Sequence, residues 1–349
     1  MIAYYAHHHG NGHSNFADQF VRSLPEASFI ITSSKFNFNT EKVVKITDEH
    51  MPDEVYENSH QPLPEYAHYL PKNHLKLAVR NKEITNNIIK HNISLALIDV
   101  SVETAAIFKL SGVPYAYRRM IGDRNDQAHN IAYKAAEFLF AYYPKELESK
   151  NTENWVVNKT IYTGFLSRFK FVKNHSFEAL KNKNLSNLKI LVIAGMGGTT
   201  INETIIQKIA IETGSFNIQI IGGISAGRKN NSDQINYLGY QNNIKDIIEN
   251  NDVIISSCGL NLSSEILALK NKFIAIPEER PFFEQELFCQ NLVANKLAIR
   301  FNPNNIKQTL IDFINLSPNP NIENYFGNMK SFTDLENIQK YAKCEKVFQ

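Results

Sequence analysis

Residues 188–200, LKILVIAGMGGTT, read as a buried strand, a glycine turn and the start of a helix. The chain opens the same way. MIAYYA (1–6) is a short apolar run, HHHGNGH (7–13) is a glycine turn, and Phe16, Phe20 and Val21 follow at helical spacing. A chain that begins this unit twice predicts two mononucleotide-type halves, each with its own sheet.

Outward from the first unit, strands are expected at ASFIITSS (27–34), KVVKIT (42–47), SLALIDVS (94–101), PYAYRR (114–119) and EFLFAYYP (137–144), with helices over 74–91, 102–111 and 126–140. Residues 51–71 hold Pro and His with no clean period and read as a loop. Around the second unit, FNIQIIGG (216–223), INYLGY (235–240), NDVIISSCG (251–259) and KFIAIPE (272–278) read as strands with helices between them. Such alternation implies parallel sheets covered on both faces. The expected class is therefore α/β, two Rossmann-like domains facing each other across a cleft, residues 1–163 and 164–349, divided near NKTIYTGFLSRF (158–169). Ligands of these sheets lie beyond the carboxyl ends of the strands, which puts the expected site in the cleft. From Pro303 on, two amphipathic helices are expected, the last with a stripe of Phe332, Leu335, Ile338 and Tyr341 that packs on the protein itself, back against the N-terminal domain.

Composition narrows the function classes. The 349 residues suffice for two α/β domains, and 43% hydrophobic with 21% charged residues is ordinary for a folded protein. A net charge of +2 makes no broad positive field, so nucleic acid is not an expected partner. No apolar run is long enough to span a bilayer and the opening residues are not a secretory signal, so a cytoplasmic protein is expected, with peripheral membrane contact left open. Cys258, Cys289 and Cys344 are far apart and lack CxxC spacing, which argues against a disulfide framework or a zinc site.

The chemistry concentrates in SSCGLNLSSE (256–265) and IPEERPFFEQ (276–285). A strand delivers the chain into a turn at Cys258-Gly259, and a helix starts near Asn261. The free N–H groups and positive partial charge of a helix start suit a diphosphate. Ser257, Asn261 and Ser263 add side-chain donors, and Glu265, one turn on, suits a pair of ribose hydroxyls. The plainer alternative is a strand-to-helix turn capped by Asn and Ser. In GMGGTT (195–200), backbone N–H groups around Gly197, Gly198 and Thr199 would make a second anion nest, without the lysine of a P-loop.

These residues resemble the UDP-glycosyltransferases. SCGLNLSSE matches the C-G-x-N-x-x-x-E core of their nucleotide-sugar signature, and Glu284-Gln285 matches its closing acidic-Gln pair. The C-terminal half also resembles the bacterial lipid-linked N-acetylglucosaminyltransferases, and GNGH (10–13) resembles the glycine-histidine loop of the same GT-B superfamily. The resemblance implies an inverting, metal-independent transferase. It assigns Asn261 and the turn at Ser257, Gly259, Leu262 and Ser263 to phosphate, Glu265 to ribose, Glu284 and Gln285 to the hexose, and the loop LGYQNNI (238–244), with Tyr240, to the base. Ser257 stands where plant members carry His, and Leu262 where they carry Ser. No cofactor is implied beyond the nucleoside-diphosphate sugar, a UDP-sugar above all, as co-substrate. The acceptor that the resemblance implies is a small molecule, a glycan or a lipid-linked hydroxyl.

On the acceptor side, His13 suits a general base because histidine is the side chain that ordinarily exchanges protons near neutral pH, while Gly12 lets the backbone approach the sugar. Asp99, at the end of LALID, either orients His13, as a similarly placed Asp does in the plant enzymes, or caps the following helix. Arg118, Arg119 and Arg124 form either an anion-reading patch for the acceptor or a solvated loop. His7, His8 and His9 are neighbours whose alternating faces make a poor metal site, so they are expected to pack or to line the cleft. With no Asp-x-Asp at a strand end in the second half, no metal is expected at the diphosphate. The competing readings are a nucleotide-sugar hydrolase or 2-epimerase on the same fold, and a non-catalytic nucleotide-sugar-binding protein.

Overall fold

A computed structural model describes residues 1–50, 63–173, 177–195, 198–215, 217–223 and 234–343. Gly197, Cys344 and most of the expected loop 51–71 lie outside the described residues.

Two parallel sheets carry the fold. The first contains β1 (Ile2–Ala6), β2 (Ser28–Thr32), β3 (Val43–Lys45), β4 (Leu95–Asp99), β5 (Tyr115–Arg119), β6 (Leu139–Ala141) and β7 (Thr160–Tyr162), in the order β3-β2-β1-β4-β5-β6-β7. The second contains β8 (Ile190–Ile193), β9 (Ile218–Ile221), β10 (Ile235–Gly239), β11 (Val253–Ser257), β12 (Phe273–Ile276) and β13 (Ala298–Arg300), in the order β10-β9-β8-β11-β12-β13. Strands β1, β4, β8 and β11 are buried along their whole length, which explains why their apolar residues run consecutively instead of alternating with polar ones. In both sheets the strand order reverses at the first strand, between β1 and β4 and again between β8 and β11. Such switch points open a crevice at the carboxyl edge. Both glycine turns and both chemistry-bearing strand ends fall there.

The chain passes between the sheets at Gly164 and returns beside it. Phe165 donates its N–H to Tyr325 O at 2.7 Å and accepts from Gly327 N at 3.0 Å. Gly164 has φ +77, and a Cβ on it would stand 2.7 Å from Tyr325 O, so only glycine fits this crossing. The C-terminal stripe does reach the first sheet: the Phe332 ring lies 5.5 Å from Phe140 and 6.1 Å from Phe20, and Ser94 Oγ donates to Tyr341 O at 2.9 Å.

Two expectations need correction. The helix expected over 126–140 ends at Ala135, because Ala136 turns extended and Glu137 N donates to Tyr115 O at 2.8 Å, which draws the chain into the sheet. The last amphipathic helix is two short ones, Met329–Thr333 and Glu336–Ala342, broken at extended Leu335, while Ile306–Asn315 packs on the second sheet.

Candidate active site between the two sheets

His13 sits in the first turn of helix Gly10–Ser23, which the glycine turn after β1 launches. Parallel pairing sets Ala6, the end of β1, opposite Asp99, the end of β4. The two side chains meet: His13 Nδ1 lies 2.7 Å from Asp99 Oδ1. Asp99 is wholly buried and also accepts from Arg118 Nη1 at 2.8 and 2.7 Å and from Tyr4 Oη at 3.0 Å. With a carboxylate at Nδ1 the imidazole proton belongs there, which leaves Nε2 as the basic nitrogen. Burial works against a charged Asp99, but the Arg118 guanidinium and the His13 ring outweigh it and hold the carboxyl well below the usual carboxylate range.

The alternative of Asp99 as a helix cap is excluded. Ser101 caps helix Val102–Leu110, its Oγ accepting from Thr104 N at 3.1 Å. Val100 and Ser101 both have positive φ, +56 and +85. A β-branched residue in that region is a backbone outlier of the kind that accumulates at functional sites.

None of the three arginines lies free in a solvated loop. Arg118 is 3% exposed and serves Asp99, its guanidinium 4.6 Å over the Phe16 ring. Arg119 pairs with Glu148 at 2.9 Å and is buried. Arg124 crosses to the second half, where it meets Glu284 at 3.2 Å and covers the Phe282 ring at 4.5 Å. The charges compensate buried carboxylates and bridge the halves, so the solvated loop offered as the alternative does not form.

On the opposite side, helix Leu260–Lys270 starts directly after β11, and Gly259 at its N-cap supplies no side-chain cap. The expected Asn/Ser-capped turn is therefore not what forms. Asn261 Oδ1 and Ser263 Oγ are buried without a hydrogen-bond partner, a costly state in the absence of a ligand. Ser257 is 3% exposed beside Gly195, where a Cβ would stand 2.8 Å from Ser257 Oγ. Leu262 is half-buried against the core. Glu265 is held by Arg168 Nε at 2.8 Å. Burial pushes the Glu265 carboxyl up, against the opposing pull of Arg168. Gln285 is buried, and its Oε1 accepts from Glu278 N at 3.0 Å. The Glu278 carboxylate in turn binds Thr199 Oγ1 at 2.6 Å and Thr200 N at 2.7 Å. Gly198 has φ +88 in the same loop, and Tyr240 is exposed. Sequence reading passed over Arg168, Glu278 and Tyr4. The signal for Glu278 was present, an acid directly beyond the carboxyl end of FIAIP.

The two sides touch. A Cβ on Gly12 would stand 3.1 Å from Asn261 Nδ2. The helix start that carries Gly12 and His13 and the turn that opens the helix at Leu260 therefore lie against each other.

Residues 177–339 match the family model for the glycosyltransferase family 28 C-terminal domain. Over 189 residues the chain is 30% identical to the UDP-N-acetylglucosamine–N-acetylmuramyl-(pentapeptide) pyrophosphoryl-undecaprenol N-acetylglucosamine transferase of Oceanobacillus iheyensis, covering 51% of this chain and 50% of that protein. It thus spans about half the length of the curated relative it matches. Solved structures agree over nearly the whole length. The glycosyltransferase SnogD from Streptomyces nogalater superposes with TM-score 0.63 at 10% identity, over 98% of this chain and 99% of that one. MurG of Acinetobacter baumannii does so with TM-score 0.61 at 10% identity, over 97% and 99%. These likenesses carry the fold. Among the described residues no helix is long and apolar enough to cross a membrane. With two facing Rossmann-like sheets and a family 28 match across the second of them, the chain has the GT-B fold, and its second half is similar to the glycosyltransferase family 28 C-terminal domain.

Proposed function

We propose that this protein is an inverting glycosyltransferase that moves a sugar from a nucleoside-diphosphate sugar, a UDP-sugar by analogy with its curated relative, to an acceptor hydroxyl. The observation that carries the reading is the apposition of Gly12 and Asn261. It sets a histidine base from one sheet against an uncapped helix start from the other. In this reading the diphosphate lies on the helix start with Asn261 and Ser263, and the ribose takes Glu265 in place of Arg168. Glu284, Gln285 and the Thr199 loop approach the hexose. His13, backed by Asp99, takes the acceptor proton through Nε2 as the hydroxyl attacks the anomeric carbon. Incubation with a panel of nucleotide sugars tests it: nucleotide released only when acceptor is present supports transfer, and equal release without acceptor replaces transfer by hydrolysis.

Replacing Glu265 by Ala is expected to weaken nucleotide-diphosphate binding by about 1–3 kcal/mol, the range for charge-assisted hydrogen bonds. Folding should be little changed, since the released Arg168 side chain is 44% exposed and solvates readily. Calorimetry reads the affinity, and an unchanged value removes the ribose assignment.

Departure of the diphosphate is proposed to depend on the helix start and its N–H donors rather than on a bound cation. Turnover should then survive excess chelator. Turnover abolished by chelator and restored by magnesium or manganese would refute this leaving-group chemistry.

A further inference from the structure

The histidine string after β1 has no part in the reaction proposed above, and it is not simply packed away. His7 and His8 stack with ring centroids 4.5 Å apart, and the His7 ring lies 6.0 Å from that of His13. The segment after β3 brings two carboxylates against them. His7 Nε2 stands 3.5 Å from Glu49 Oε1, and His8 Nδ1 stands 3.7 Å from Asp48 Oδ1. Both ring nitrogens of His8 are shielded from solvent and lack a hydrogen-bond partner. A neutral imidazole always presents one N–H and one lone pair, so this ring carries two unmet polar groups, which folded proteins avoid. Glu49 is held from behind: Arg80, 1% exposed, donates through Nε to Glu49 Oε2 at 3.0 Å. That contact leaves Oε1 turned toward the imidazoles. One ligand atom from each of His7, His8 and Glu49 lies within 4.8 Å of the other two.

We propose that His7, His8 and Glu49 form a binding site for a divalent transition-metal ion of the zinc, cobalt or nickel class, with Asp48 in reach as a fourth ligand. Two imidazoles and one carboxylate suit these ions, whereas magnesium and calcium select oxygen. The Arg80 contact supplies the outer support that fixes a ligating carboxylate. A second cluster, His68, Asp126 and His129, shows the contrast. There His129 Nδ1 donates to Asp126 Oδ2 at 2.5 Å, its Nε2 faces Arg124 Nη1 at 3.5 Å, and His68 Nε2 lies 2.8 Å from Asp126 Oδ1. Those nitrogens are spent on hydrogen bonds. Binding at His7 asks for one rearrangement. His7 Nδ1 accepts the backbone N–H of His9 at 3.2 Å, so its proton sits on Nε2. Coordination through Nε2 shifts that proton to Nδ1, and the exposed His9 N–H turns to water.

The test is a titration of the chelator-stripped full chain with Co²⁺, read by visible absorption, with Zn²⁺ as competitor. One equivalent of Co²⁺ should give a ligand-field band that Zn²⁺ removes. His8→Ala and Glu49→Gln should each weaken binding by about tenfold or more. His9→Ala should leave stoichiometry and affinity unchanged. Melting temperatures show that the variants are folded, and Gln retains the oxygen that Arg80 needs. Absence of a one-equivalent site overturns the proposal. So does Glu49→Gln binding like wild type while His9→Ala weakens it as much as His8→Ala, since that pattern belongs to a bare surface histidine string. Nucleotide calorimetry on the same samples reports on the donor cleft separately, so failure of either reading leaves the other standing.

Discussion

Replacing His13 by Ala is expected to lower kcat by roughly 10²–10⁴-fold, the loss typical of a missing general base, while donor affinity stays near wild type. The reason is geometric. The His13 ring is fixed through Nδ1 on Asp99 Oδ1 at 2.7 Å, so its other nitrogen is the one that can serve an acceptor. The groups proposed to hold the donor come from the second sheet's side of the cleft, from helix Leu260–Lys270, the Thr199 loop and the start of helix Glu284–Ala294. Measuring kcat and melting temperature on one preparation separates chemistry from folding. A folded His13→Ala protein with near-normal turnover would end the general-base assignment.

Replacing Asp99 by Asn should damage the protein twice. The carboxylate orients the His13 ring and supports the imidazolium formed during transfer, so turnover should fall. It is also the counter-ion of Arg118, which is 3% exposed and held by both carboxylate oxygens. Removing one partner of a buried pair costs about 3–5 kcal/mol, because the other charge stays buried and unmatched. On a domain of this size that is on the order of 10 °C in melting temperature. The pH dependence has a fixed sign. A carboxyl whose folded pKa is depressed contributes stability above its unfolded pKa and loses it as pH falls through the folded one. The gap in melting temperature between wild type and Asp99→Asn should be widest near neutrality and narrow below about pH 4. A variant that keeps the wild-type melting temperature at pH 7 would show that Arg118 does not depend on this charge.

Much of the fold was legible because its signals are local. Two buried first strands, each with its glycine turn and following helix, are patterns a short window contains, and both appear where the residues placed them. Element ends were read less well. The stretch Ala136–Phe138 is as apolar as the helix before it, and only the Glu137–Tyr115 hydrogen bond pulls it into the sheet. Likewise the stripe through Phe332, Leu335, Ile338 and Tyr341 has helical spacing although the chain is broken at Leu335. Packing against Phe20 and Phe140 satisfies the stripe whether or not one helix carries it.

The sequence by itself determined which segments become buried strands, where the glycine turns fall, and which residues end up at the carboxyl edges, since these depend on neighbours a few positions apart. Partner choice was a tertiary decision. His13 and Asp99 are 86 positions apart, Arg168 and Glu265 are 97, and Arg124 and Glu284 are 160. Nothing in YRRMIGDR distinguishes an arginine that faces water from one that neutralises a buried carboxylate. The difference is desolvation, and desolvation exists only once the sheets have closed over the charge.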